Sequence, residues 1–272
     1  FLAAAVLVCL APASSHALMP YSQDFEGLDA SSTSALADDG WLVFGNVFAP
    51  DWTYLYGYGV FPAPNDGSAF SAIVSGEGGA EQGDQQLSIF SDYNNTDHGN
   101  GNWIEANVFQ EQTVEAGDVT ETWTFDFQAK LGNLEGESTA TAFIKTLDPE
   151  NGFAQTNYIP LDMTTTPTTW TDYSLQITID ASLEGQLLQF GFSNIATDYQ
   201  GSAVFYDNLE FYVDGPVEGN TVTGRGRRGA VHETRRRKSA QCDGTGCCLQ
   251  VRSSSERRSF VGRIRFPLVR VV

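Results

Sequence analysis

From Thr122 to Gln128 the chain alternates apolar and polar residues: Trp123, Phe125 and Phe127 stand between Thr122, Thr124, Asp126 and Gln128. The same period of two runs through Tyr173, Leu175, Ile177 and Ile179, and again through Leu188, Phe190 and Phe192. In the run AVFYDNLEFYV, Phe205, Leu209 and Phe211 fall on one parity, with Asp207 among them. Side chains of a strand alternate between its two faces, so each segment predicts a strand with one face on a core. Further strands are expected over residues 21–26, 41–48, 52–61, 70–74, 85–91, 103–110 and 139–147. Clusters of Gly, Asn and Asp such as GEGGAEQGD, DYNNTDHGNGN and DPENG separate them, and these are turn-forming compositions. A short helix or irregular stretch is expected over 31–39, where Ser precedes Ala and Leu. Roughly a dozen short strands predict an all-β fold, a two-sheet antiparallel β-sandwich of the jelly-roll type forming one domain over residues 18–214.

Charge divides the 272 residues. Before Gly215 there are two Lys (Lys130 and Lys145), no Arg, and thirty Asp and Glu, a balance of −28. From Gly215 onward thirteen Lys and Arg meet four acidic residues, a balance of +9. Residues 215–272 carry no hydrophobic period, and three readings stay open for them: a basic arm, a solvated disordered extension, or an out-of-frame translation. The acidic body excludes nucleic acid as its partner, because a phosphate backbone requires a basic footprint.

At the other end, FLAAAVLVCLAPASSHA has an apolar run too short for the ~20 helical residues that span a bilayer. Small residues follow, with Ser15 and Ala17 at the −3 and −1 positions of a cleavage site after Ala17. Residues 1–17 therefore read as the remnant of a secretory signal peptide, which places the mature chain outside the cell or on its surface with no transmembrane segment. Cys9 lies in that leader and Cys242, Cys247 and Cys248 in the basic segment, so the body has no cysteine. Their spacing lacks the paired C-x2-C of a structural zinc site.

Three groups of residues carry candidate chemistry. In DWTYLYGYGVF, Trp52, Tyr54, Tyr56 and Tyr58 occupy alternate positions, and an unbroken strand would put all four rings on one face. Exposed, such a row stacks on the C–H faces of sugars; buried, it is core. The loop from Asp92 to Trp103 is rich in Asn and Asp, and Asn95 and Trp103 are its candidate ligand contacts. Catalytic signatures are thin. His98 is the only His of the body, and G-x-S-x-G, H-E-x-x-H and a Gly-rich phosphate loop are all absent. Glu105, Glu111 and Glu121 are candidates for a hydrolytic carboxylate pair, with nothing to single them out.

Taken together, several of these segments resemble a known family. They are Asp24-Phe25-Glu26 in the opening strand, Gly40-Trp41, VEAGDVTETWTFDFQAK followed by STATAFIKTL, and the closing Val204-Phe205-Tyr206-Asp207-Asn208-Leu209. They look like the carbohydrate-binding-module type of jelly roll, the galactose-binding-like sandwich of secreted bacterial proteins, over most of residues 20–213. The resemblance implies a non-catalytic module for polysaccharide. It also implies a structural Ca²⁺ tying the first and last strands, with Asp24, Glu26 and Asp207 at the matching positions and backbone carbonyls completing the shell. A buried Asp207 needs a partner in any case, either that metal or backbone N–H groups at a bulge. The charge of −28 favours a neutral or cationic polysaccharide. Two other functions remain open: an extracellular surface or matrix protein without a specific glycan, and a glycosidase or polysaccharide lyase.

Overall fold

The computed structural model describes residues 18–59, 70–92 and 96–213. Its strands are β1 (Tyr21–Gln23), β2 (Leu42–Phe48), β3 (Tyr54–Gly59), β4 (Ser71–Ser75), β5 (Gln85–Ile89) and β6 (Trp103–Thr113), followed by β7 (Thr122–Leu134), β8 (Thr139–Asp148), β9 (Ala154–Asp162), β10 (Thr171–Thr178), β11 (Leu187–Ala196) and β12 (Ser202–Val213). All pairings are antiparallel. One sheet has the order β10-β7-β12-β5-β4, with β1 also on β12; the other runs β3-β2-β6-β11-β8-β9. The result is the all-β, two-sheet sandwich that the alternation predicts and the resemblance implies. The helix expected over 31–39 is a single turn, α1 (Ala35–Asp38). Among the described residues no helix is long and apolar enough to cross a membrane.

The alternating apolar positions meet between the sheets. Phe125 and Phe127 of β7, Phe190 and Phe192 of β11, and Tyr206 and Phe211 of β12 are all buried there. Phe190 stacks on Phe211 with ring centroids 4.0 Å apart, and Phe192 stacks on Tyr206 at 3.6 Å. Such pairs add to the burial of large rings, which dominates the stability of a core.

Two expectations need correction. On β12 the core parity is not that of Phe205: Val204, Tyr206, Leu209 and Phe211 are the buried apolar residues. The register against β7 slips between Asp207 and Glu210, and Asn208 has φ 49°. One extra residue in the strand moves the apolar side chains from even to odd numbers. Asp207 thus shares the parity of Phe205, on the face opposite the core. The second correction is β9, absent from the expected strands. It is the outermost strand of its sheet and contains Pro160 opposite Phe143. Proline has no N–H to donate and is confined to edges, so it weakens the strand signal where a strand does occur.

Candidate functional site

The outer face of the β3-β2-β6-β11-β8-β9 sheet follows directly from the alternation of its strands. Along β6, Ile104, Ala106 and Val108 enter the core while Glu105, Asn107, Phe109 and Glu111 face outward. Pairing then brings Phe44 beside Asn107 and Asn46 beside Glu105 on one side. On the other side it brings Gln189 beside Glu111, and Lys145 beside Gln189. Phe44, Asn46, Asn107, Phe109, Glu111 and Lys145, with Phe153 and Gln189, line an open cleft of about 520 Å³. Phe44 is 40% exposed and Phe153 60% exposed, so apolar rings stand in water at its edges.

Polar groups in this cleft are held by one another. Glu105 accepts from the Asn46 amide at 2.6 Å and from the Asn107 amide at 3.0 Å. Glu111 accepts from the Gln189 amide at 2.6 Å. Fixed in this way, Gln189 leaves its Oε1 buried and without a hydrogen-bond partner, an unmet acceptor beneath the cleft floor. Lys145 lies across Phe143 and Phe109, its ammonium 4.5 and 5.5 Å from the ring centroids. Burial lowers its pKa, opposed by the charges of Glu105 and Glu111. Burial and then the Glu105 charge raise the pKa of Tyr158, which stands opposite Lys145 on β9. Glycine makes room for the aromatic floor: a Cβ on Gly57 would sit 2.8 Å from the Phe44 ring and from the Tyr54 hydroxyl.

The candidate ring row is split. Trp52, Tyr54 and Tyr56 are exposed, at 56%, 56% and 42%, and Tyr58 is half-buried. They do not share one face, because the β2–β3 register slips between Val47 and Phe48, with Leu55 the extra residue. Tyr54 therefore stands opposite Phe48 on the cleft side, and its ring lies 5.8 Å from that of Phe48. Trp52 packs edge-on against Phe48 at 5.7 Å and against Trp103 at 4.7 Å. Tyr56 and Tyr58 stand opposite Val47 and Gly45 and turn toward the 92–102 loop instead. The Tyr56 hydroxyl bonds Asp97, and that of Tyr58 bonds Asp92 at 3.0 Å. Asn95 lies outside the described residues. Three of the candidate residues, Trp52, Tyr54 and Trp103, are thus gathered around Phe48 at one end of the face. Phe44, Asn46, Asn107, Lys145 and Gln189 join the site from strands whose adjacency the sequence does not announce. Glu121 precedes β7, in the other sheet.

Asp24 and Glu26, in the turn after β1, lie near Asp207 of β12. Asp207 is fully buried; its Oδ1 accepts from Asn208 N at 2.6 Å, and its Oδ2 has no hydrogen-bond partner. Burial, with the charges of Asp24 and Glu26 added, pushes its pKa up to about 7. Glu26 Oε1 accepts from Asp84 N at 2.7 Å and Gln85 N at 2.6 Å, and Asp24 Oδ1 from Glu26 N at 3.2 Å. Among the described residues no three His, Cys, Asp or Glu side chains converge as a ready metal cluster. Asp207 Oδ2, buried without a hydrogen-bond partner and within reach of the Asp24 and Glu26 charges, has the chemistry of a hard-cation ligand, but backbone and amide oxygens would have to supply most of the shell.

The fold defines a β-sandwich with an aromatic and polar cleft on one sheet. No protein-family model matches the chain, and no curated protein does. Among solved structures it is similar to an apo cyclase from Fischerella sp. (12% identity, TM-score 0.42, 72% of this chain and 97% of that one). It is also similar to the CBM22-1 xylan-binding domain of Paenibacillus barcinonensis Xyn10C (13% identity, TM-score 0.38, 75% and 97%). A third is the enzymatically active domain of bacteriophage CBA120 tailspike protein 4 (11% identity, TM-score 0.39), where the match covers 65% of this chain and 20% of that chain. A cyclase, a binding domain and a tailspike enzyme share these distant likenesses, so the likeness selects no function.

Proposed function

We propose that the protein is a secreted, non-catalytic carbohydrate-binding module, and that a neutral or cationic polysaccharide lies across the outer face of the β3-β2-β6-β11-β8-β9 sheet. One observation carries this reading: the cleft combines exposed rings with amides pinned by carboxylates. Rings accept the apolar faces of sugars, and fixed amides bond their hydroxyls. The charge of −28 before Gly215 repels polyanions. Export follows from the leader-like residues 1–17.

The carboxylates of the cleft favour binding over hydrolysis. Glu105 and Glu111 are six residues apart on one strand, which separates their Cα atoms by about 20 Å. Glycosidase pairs stand roughly 5–10 Å apart. A structural calcium belongs to the same reading. Asp207 and Asp24 would hold it, with Glu26 beside them and backbone oxygens completing the shell, and its charge would compensate the buried carboxylate.

The test measures affinity for a panel of neutral, cationic and anionic polysaccharides, with the wild type and a Phe44→Ala/Tyr54→Ala double variant. Each exposed ring contributes about 1 kcal/mol, so the double change weakens binding about thirtyfold while the melting temperature holds. Equal affinity of variant and wild type, or no affinity for any member of the panel, overturns the assignment.

A further inference from the structure

Asp118 is a fully buried carboxylate just before β7. Its Oδ2 accepts from Glu115 N at 2.8 Å. A second donor reaches it from 100 residues away: the backbone nitrogen of Leu18 sits 3.3 Å from Oδ1 and 3.3 Å from Oδ2. A peptide nitrogen has one hydrogen and can serve one oxygen well. An amino-terminal nitrogen carries three hydrogens and a positive charge, and suits both oxygens at once.

The segment around this contact is pinned from its first described residue. The Leu18 side chain is fully buried. Met19 N donates to Gln112 Oε1 at 2.5 Å, and Gln112 Nε2 returns a bond to Met19 O at 3.0 Å. Immediately before Leu18 stands Ser15-His16-Ala17, the small-x-small pattern of a leader cleavage site. Both Lys residues of the body lie elsewhere, Lys130 paired with Glu77 at 2.7 Å and Lys145 in the cleft. The bond whose hydrolysis a signal peptidase would catalyse and the nitrogen clamped by a buried carboxylate are therefore the same place in the chain.

We propose that Asp118 is the receiving site for the new amino terminus: cleavage after Ala17 frees the Leu18 α-ammonium, which docks between the two Asp118 oxygens as a buried ion pair and completes the mature fold. Water adds across the Ala17–Leu18 peptide bond, leaving a carboxylate on Ala17 and an amine on Leu18 that takes its third proton from solvent. Because the Leu18 side chain is buried in the folded domain, cleavage comes before folding, during export. The inference rests on the export reading above and adds to it a structural role for processing.

The experiment expresses the full chain with a complete leader in a secreting host and determines the amino terminus of the exported protein by intact mass and N-terminal sequencing. A terminus at Leu18 is expected; an exported protein with any other terminus overturns the proposal and leaves the export reading standing, whereas failure of export overturns both. On the exported protein, labelling of the α-amine by an acylating reagent is then followed against pH. Pairing with Asp118 moves the midpoint at least one unit above the ordinary ~7.7–8.0, about tenfold less labelling at neutral pH, and Asp118→Asn returns it to the ordinary range. A wild-type midpoint at the ordinary value refutes the ion pair even when the terminus is Leu18, and so does a raised midpoint that survives Asp118→Asn. Where that variant fails to fold, the wild-type midpoint alone decides.

Discussion

Replacing Asp207 by Asn and following stability against pH in EDTA tests the carboxylate cluster directly. In the unfolded chain an Asp loses its proton near pH ~3.9. In the folded protein without a cation, burial and then the neighbouring Asp24 and Glu26 charges hold Asp207 protonated up to about pH 7. Between those values the folded state keeps a proton that the unfolded state has released. Stability therefore falls as pH rises from about 4 to about 7 and stays low above that. A shift of three units corresponds to about 4 kcal/mol at ~1.36 kcal/mol per unit. Asp24 and Glu26 are exposed, and solvent screening of their charges reduces this to roughly 2–4 kcal/mol.

In a domain of this size each kcal/mol moves the melting temperature by about 2–4 °C. About two of those three units fall between pH 5 and pH 8, roughly 1.5–3 kcal/mol after screening, so in that window the wild type in EDTA should lose on the order of 3–10 °C more than Asp207→Asn, which has no proton to lose. The other acidic residues repel one another in both proteins, so the difference isolates Asp207. Calcium at pH 8 should then restore the wild type, by about 2.7 kcal/mol at a hundred times its dissociation constant, and leave the variant unmoved. Parallel pH profiles in EDTA would refute the buried-charge reasoning. An equal calcium response in both proteins would refute the metal assignment.

The remaining expectations concern the core and the cleft. Phe192→Ala removes a ring stacked on Tyr206 and should cost about 3–5 kcal/mol in urea denaturation; a loss below 1 kcal/mol would show the inter-sheet packing to be wrong. The Tyr206 hydroxyl is buried without a hydrogen-bond partner, so Tyr206→Phe should leave stability unchanged or raise it by about 1 kcal/mol, against which a clear loss would reveal a bond to that oxygen. A Cβ on Gly191 would meet Val108 O at 2.3 Å and Phe109 Cα at 2.7 Å. Gly191→Ala should therefore destabilise by roughly 1–3 kcal/mol, and full retention of the melting temperature would contradict the close β6–β11 approach.

Period-two alternation made most of the fold legible in advance. β7, β10 and β11 occupy the residues whose apolar positions alternate, because a strand half-covered by a core leaves that pattern in sequence whatever its neighbours are. β9 escaped because Pro160 interrupts the expected composition, and the edge position that tolerates Pro160 is a property of the assembled sheet. The charge boundary at Gly215 and the turn clusters were likewise readable, since each depends only on local composition.

Tertiary structure decided where the alternation changes phase and which strands lie side by side. The extra residue near Asn208 returns Leu209 and Phe211 to the face of Val204 and Tyr206, and Leu55 divides Tyr54 from Tyr56. Counting by twos along one strand cannot detect either bulge, because a bulge is defined by the hydrogen bonds of the partner strand. Lys145 lies over Phe109 across Gly191, 36 residues away in sequence, because β6 and β8 both pair with β11. Leu18 reaches Asp118 for a similar reason, its nitrogen held there with the Met19–Gln112 pair beside it. Alternation is a property of the local backbone and is written in the sequence. Register and strand order are settled only when distant segments compete to satisfy their hydrogen bonds and bury their apolar faces together.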